Sequence, residues 1–218
     1  MRPLALAACA LLAACQPDDA DGDTTAVEVR IAVAGATEAT RAGNGLLFTG
    51  GTLLVSEVEF SADRVGGASV SRSRERIVAY DLATGLPAEG EVAFEVPAGA
   101  YADAYLGVEL RDEDATPSIV ALGTHERSGG EVVPVRFEFN SGEVFEAEGE
   151  GIEIAPGATA VSTIRLAPEA WFARVSRERL DGARLDAEGV LVVSEGRNEA
   201  IFDLAADGLD VATEVRFD

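Results

Sequence analysis

Alternation with a period of two runs through most of this chain after its first 25 residues and restricts it to folds built from half-buried strands. Successive side chains of a strand point to opposite faces of a sheet, so apolar residues at every second position assign one face to the core. Val27, Val29, Ile31 and Val33 alternate with Glu28 and Arg30. After a Gly-rich turn around Gly43 to Gly45, Leu54, Val58, Phe60 and Ala62 lie on one face, with Glu57, Glu59, Ser61 and Asp63 on the other. Further strands are expected at Ile77 to Leu82, Val92 to Val96 and Ala104 to Leu110, the last two joined through Pro97-Ala98-Gly99 as a hairpin. Ser118 to Leu122, Val133 to Phe139, Val144 to Glu148, Ile152 to Ile154 and Ala160 to Leu166 continue the series. Pro134 marks its strand as an edge or a bulge, because proline has no N–H to offer a neighbour.

The pattern changes in the last third. Pro168 suits the first turn of a helix that continues through Ala170 to Val175. Asn198 is placed to cap a second helix, whose apolar face is Ile201, Phe202, Leu204 and Ala205 and whose end is Gly208. Val211, Val215 and Phe217 then predict a closing strand. The fold class expected is mainly β: an antiparallel β-sandwich with one or two short helices in the C-terminal third.

The N-terminus dictates location rather than fold. Met1, Arg2 and Pro3 precede an almost pure Leu/Ala stretch from Leu4 to Ala14, the layout of a secretory signal and too short for a permanent membrane span. It ends in Leu12-Ala13-Ala14-Cys15, similar to the lipobox at which a lipoprotein signal is cut and its cysteine lipidated. Leu6-Ala7-Ala8-Cys9 repeats the pattern with fewer apolar residues before it, so Cys15 is the expected anchor. Residues 1–14 are then the signal, 15–25 the lipidated cysteine with an acidic tether, and 26–218 one domain. Gln16 is not the Asp that retains lipoproteins at the inner membrane of enteric bacteria. The expected location is therefore the cell envelope, at the outer membrane of a Gram-negative bacterium.

A cut at Cys15 leaves one thiol, committed to the anchor, so neither a disulfide nor a cysteine metal site is available to hold the fold. The roughly 200 residues that follow, drawn from a chain with 47% hydrophobic content, suffice for one core. The formal charge of −22 argues against nucleic acid and anionic surfaces as partners.

The strand Leu53 to Phe60, the Tyr80-Asp81-Leu82 ending, the Val96-Pro97-Ala98-Gly99-Ala100-Tyr101 turn and the segment Ile154 to Leu166 leading into Trp171-Phe172 resemble uncharacterised bacterial lipoproteins. The domain of those proteins is a prealbumin-like (transthyretin-like) or immunoglobulin-like β-sandwich. The resemblance covers most of residues 26 to 175 and implies a fold and an envelope location, with no activity to carry over.

Candidate chemistry is sparse. His125 is the single histidine and reads as a solvated turn residue in Thr124-His125-Glu126-Arg127; no Gly-x-Ser-x-Gly elbow accompanies it. Calcium, which takes oxygen ligands, is the metal to weigh against Asp18 to Asp23, Asp112-Glu113-Asp114, Asp181 with Asp186 and Glu188, and Asp207 with Asp210. None fits an EF-hand loop, and solvated loop acids are the simpler reading. Tyr101 and Tyr105 are expected on one outward strand face with Asp103, and Trp171 beside Phe172 either stacks on a sugar ring or closes one end of the sandwich. The expectation is a non-catalytic, lipid-anchored binding or scaffolding module without a cofactor, held to the membrane through Cys15 and partnered by a glycan or an envelope protein. The alternatives are a carbohydrate binder using Tyr101, Tyr105 or Trp171, a calcium-binding module, or a hydrolase built on His125 or a carboxylate pair.

Overall fold

The computed structural model describes residues 24–33, 43–90, 92–157, 159–212 and 214–217. The residues expected to form the signal and the tether, up to residue 23 and with Cys9 and Cys15 among them, lie outside the described residues.

Eleven strands and three helices follow one another along these residues: β1 (Thr24–Val33), β2 (Leu46–Arg64), β3 (Val70–Asp81), β4 (Val92–Pro97), β5 (Gly99–Leu110), β6 (Ile119–Glu126), β7 (Val132–Phe139), β8 (Val144–Ile154), β9 (Thr159–Leu166), α1 (Pro168–Trp171), α2 (Arg177–Asp181), β10 (Leu191–Val193), α3 (Glu199–Ala212) and β11 (Glu214–Phe217). One sheet has the order β11-β9-β1-β4, and the other runs β10-β7-β6-β2-β5-β8 with β3 added to β2. The chain is mainly β and forms a β-sandwich, as the alternation predicts. Its sheets are mixed rather than purely antiparallel, since β1 runs parallel to β9 and β10 parallel to β7.

The 19 residues of β2 make it long enough to serve three partners. β3 takes one edge, while β6 and then β5 share the other. The handover falls at Leu54, whose N–H donates to the Ser118 carbonyl and whose carbonyl accepts from the Arg111 N–H. Just beyond it the pairing slips at Ser56, which inserts one extra residue relative to β5. A bulge moves every later side chain to the opposite face. Leu53 and Val55 are therefore buried before it and Val58, Phe60 and Ala62 after it, and Leu54, expected inward, is only half-buried.

The same sheet carries the helices. Phe137 of β7 is surrounded by the rings of Phe172 at 5.3 Å, Trp171 at 5.9 Å, Phe202 at 6.1 Å and Phe139 at 6.4 Å. Such tilted, edge-on and stacked contacts each add about 0.5–1.5 kcal/mol beyond burial. Pro168 starts α1, as expected for a residue that lacks an N–H. Pro134 sits within β7, one residue before the stretch covered by β10.

Several elements depart from the sequence expectations. Thr25, assigned to the tether, is buried in β1 and donates its hydroxyl to the Ala155 carbonyl at 3.0 Å. The short helix α2 and the three-residue β10 are additional. α2 is capped by Ser176, whose hydroxyl accepts from the Arg179 N–H. Asn198 does precede α3, but its side chain does not cap it. Held at φ 54°, a conformation asparagine tolerates, it spends its amide on the Arg184 and Val192 carbonyls and the Arg184 N–H, pinning the preceding loop to β10.

Gly208 does not end α3 but lies inside it, where a Cβ would stand 2.2 Å from the Trp171 carbonyl oxygen. Alanine is about 1 kcal/mol better than glycine inside an exposed helix, and here the close approach of α1 reverses that sign. Gly208→Ala is expected to destabilise the protein by about 1–3 kcal/mol, the cost of overpacking, in chemical denaturation. An unchanged or higher stability would mean that α1 and α3 do not meet at this glycine.

Candidate functional site

Tyr105 lies on the outer face of the β3-β2-β5-β8 sheet. The registers place Ser71, Ser61, Tyr105 and Glu148 in one row across the four strands. Asp63, Asp103 and Glu150 form the next row, and Ser73, Glu59, Gly107 and Glu146 the row on the other side. The residues of the first two rows border an open groove of about 740 Å³, within the size range of small-ligand sites. The Tyr105 ring occupies the space that a Cβ on Gly107 would fill, the hydroxyl coming within 2.6 Å of that position. It therefore lies along the strand, and its hydroxyl donates to Glu146 Oε1 at 2.9 Å. Desolvation, then the hydrogen bond to Glu146 and the charges of Glu146, Glu59 and Glu148, push its pKa up to about 12. The phenol thus stays protonated and works as a donor with a half-exposed ring.

Tyr101 does not share this face. Between Asp103 and Tyr101 the pairing of β5 with β2 slips by one residue, leaving Ala102 extra. The parity flips, Tyr101 turns inward with 1% exposure, and its hydroxyl donates to the Pro97 carbonyl. Trp171 is also removed from the surface: it is fully buried against Phe137, and its indole Nε1 has no hydrogen-bond partner among the described residues. Trp171 belongs to the core, and removing a buried ring of this size costs about 3–5 kcal/mol. Of the three aromatic candidates only Tyr105 keeps part of its ring at the surface.

His125 is likewise not in a solvated turn. It lies in β6, fully buried, with Nε2 2.7 Å from Asp181 Oδ1. The other carboxylate oxygen of Asp181 accepts from the Ser128 hydroxyl at 2.5 Å and from the Ser128 N–H at 3.1 Å. The Ser128 hydroxyl comes first and the His125 bond second in holding the Asp181 pKa down at about 2. An ionised Asp181 makes Nε2–H the donor. The order of the three groups decides the chemistry: the carboxylate is central, and the serine donates to it rather than to the imidazole. A nucleophilic serine needs the imidazole beside its own hydroxyl, so this constellation fastens α2 to β6 instead of activating Ser128. Burial of His125 depended on α2, and the one sequence signal for that helix was the capping Ser176.

The acidic clusters are engaged locally. Arg111 binds Glu113 at 2.7 Å and Asp114 at 2.8 Å, and Asp114 also accepts from the Thr116 N–H. Asp186 accepts from the Glu188 and Val190 N–H groups in a tight turn, and Asp207 pairs with Arg174 at 3.2 Å. Asp18 to Asp23 lie outside the described residues. Among the described residues no group of three or more potential ligand side chains is placed to hold a metal ion, and no helix is long and apolar enough to cross a membrane.

Compared with protein-family models, with curated proteins and with solved structures, the chain matches none.

The Asp181 geometry fixes a pH dependence. Its folded pKa lies below the unfolded value, so its contribution to stability is complete above about pH 4 and disappears as pH falls towards 2. Asp181→Asn is expected to lower the unfolding midpoint at neutral pH and to flatten the acid limb between about pH 4 and 2. The check is a set of thermal melts across that window; parallel wild-type and variant curves would show that the carboxylate charge contributes nothing there.

Proposed function

We propose that this protein is a lipid-anchored cell-envelope lipoprotein working as a non-catalytic binding module, with a carbohydrate as its ligand class. The observation that carries the ligand class is Tyr105: a protonated, partly exposed phenol lying along the strand at the border of an open groove. Sugar rings offer apolar C–H faces to an aromatic plane and hydroxyls to carboxylate acceptors. Ser61, Ser71, Asp63, Asp103, Glu148 and Glu150 supply the polar border. The anchoring rests on Leu12-Ala13-Ala14-Cys15 after the Leu/Ala stretch, and the absence of the inner-membrane retention residue at Gln16 supports the outer membrane. The engagement of Ser128 and His125 with Asp181 supports the non-catalytic reading.

Two tests separate the parts of this reading. Labelled palmitate is expected to enter the chain in cells, to be lost in Cys15→Ala and to be kept in Cys9→Ala; label surviving Cys15→Ala refutes anchoring at that residue. On a glycan array, saturable binding is expected to weaken about tenfold in Tyr105→Ala, equivalent to about 1.4 kcal/mol, and to persist in Tyr105→Phe, which keeps the ring. Glycan binding indifferent to Tyr105→Ala, or no binding to any glycan, overturns the carbohydrate assignment.

A further inference from the structure

We propose a second site in the opposite face of β2, a cleft between the two sheets that takes a single aliphatic chain ending in an anionic head group. Strand β3 carries Val70, Arg72, Arg74, Arg76 and Val78 on the face that continues the core. The two valines at its ends are buried, whereas the three arginines are exposed at the rim between β3 and β4. Inward-pointing charges commonly protect an edge strand from pairing with another chain. Arg72 and Arg76 fit that role, and they also bridge the rim. Arg72 donates through Nε to the Glu95 carbonyl of β4 at 3.2 Å, and Arg76 donates through Nη2 to the Glu89 carbonyl at 3.0 Å. Arg64 bonds the Ala98 carbonyl at 2.7 Å at the same end of β4.

Arg74 differs from its neighbours. Its side chain makes no hydrogen bond or ion pair among the described residues, and it stands opposite Val58 in the pairing of β3 with β2. Beside it opens a cleft of about 520 Å³, bordered by Val58, Val78, Val92, Ala93, Glu75 and Arg76. The three valines are almost fully buried, so the floor is apolar core and the mouth is cationic. A charge that only protected an edge would need no cleft beneath it. A guanidinium with free donors binds carboxylate or phosphate oxygens in a fork, while an apolar floor favours an aliphatic chain. Glu75 at the border disfavours a second negative charge, so a monoanionic head group such as a carboxylate fits best.

The contrast with the rest of the molecule supports the assignment. A chain of charge −22 repels anions in general, so an anionic amphiphile gains its attraction here from the rim arginines alone. The site lies on the other face of β2 from Ser61 and Tyr105 and does not depend on the carbohydrate reading.

The test is calorimetric titration of the full chain carrying Cys15→Ser, so that no acyl chain of its own competes. The probe is dodecanoate kept below its micelle concentration. Saturable binding at one site is expected, weakened about tenfold or more in Arg74→Gln. Circular dichroism melts establish that the variant is folded. Dodecyl phosphate is expected to bind more weakly than dodecanoate, and dodecanol more weakly than both. The proposal is overturned if dodecanoate gives no saturable heat, if folded Arg74→Gln binds as wild type does, or if dodecyltrimethylammonium binds equally well. Association with anionic phosphatidylglycerol vesicles, without binding of free dodecanoate, would equally overturn it in favour of a membrane surface.

Discussion

The main chain of Leu54 is the junction on which the larger sheet depends. Its N–H and carbonyl point to the same edge of β2, and they go to different strands, one to β6 and one to β5. A strand edge normally serves one neighbour. Here the edge is divided at one residue, between the half of the sheet that carries β7, β10 and the aromatic cluster and the half that carries the Tyr105 groove, while β3 pairs with β2 across the division. Every backbone donor or acceptor withdrawn from water must find a partner, and this division is how β2 satisfies its groups along 19 residues without a single partner of that length. The Ser56 bulge follows immediately, and its hydroxyl lies 3.4 Å from the Glu109 carbonyl and 3.3 Å from that of Leu110. The irregularity is thus bonded to the strand against which it occurs.

Alternation is a local property, and for that reason the strands and their approximate limits were legible in the sequence. A bulge is a property of a pair. Nothing in Gly99 to Leu110 alone states that Ala102 has no counterpart on β2, yet that one residue decides whether Tyr101 faces solvent or core. The same holds for Leu54 and Ser56. Tyr105 remains where alternation places it, because it lies on the far side of the slip, in register with Leu106 and Val108 as they turn inward. The groove was therefore half legible: its tyrosine and acids could be read as an outward face, whereas their assembly into rows needed the registers of β3 and β8.

The helical layer was less legible, for a different reason. Helices α1 and α2 span only four and five residues, too few for a periodic signature to form. The polar Thr124-His125-Glu126 ending reads as solvent-exposed so long as nothing is known to cover it. In the fold, Asp181 at the end of α2 covers His125 and binds it, converting a polar strand end into a buried clasp. Asn198 shows the same limit. Its residue type predicts a helix start, and a helix does start there, but its amide serves the Arg184 loop and β10 instead.

Charge on the two faces of β2 is sorted by what each can solvate. On the outer face Glu59, Asp63, Asp103, Glu148 and Glu150 stand in water, where like charges in neighbouring rows are screened and their repulsion is tolerable. On the inner face no carboxylate belongs to the rim positions of β3; the charges there are guanidiniums, the form of charge that sheds water most readily and binds carbonyl oxygens directly. Carboxylates at Arg72 and Arg76 would meet the carbonyls of Glu95 and Glu89 lone pair to lone pair and would spread the two sheets. The rim thus closes because its cations are satisfied by main-chain oxygens. Arg74, placed between two satisfied neighbours over an apolar floor, retains donors that the sheet itself does not use.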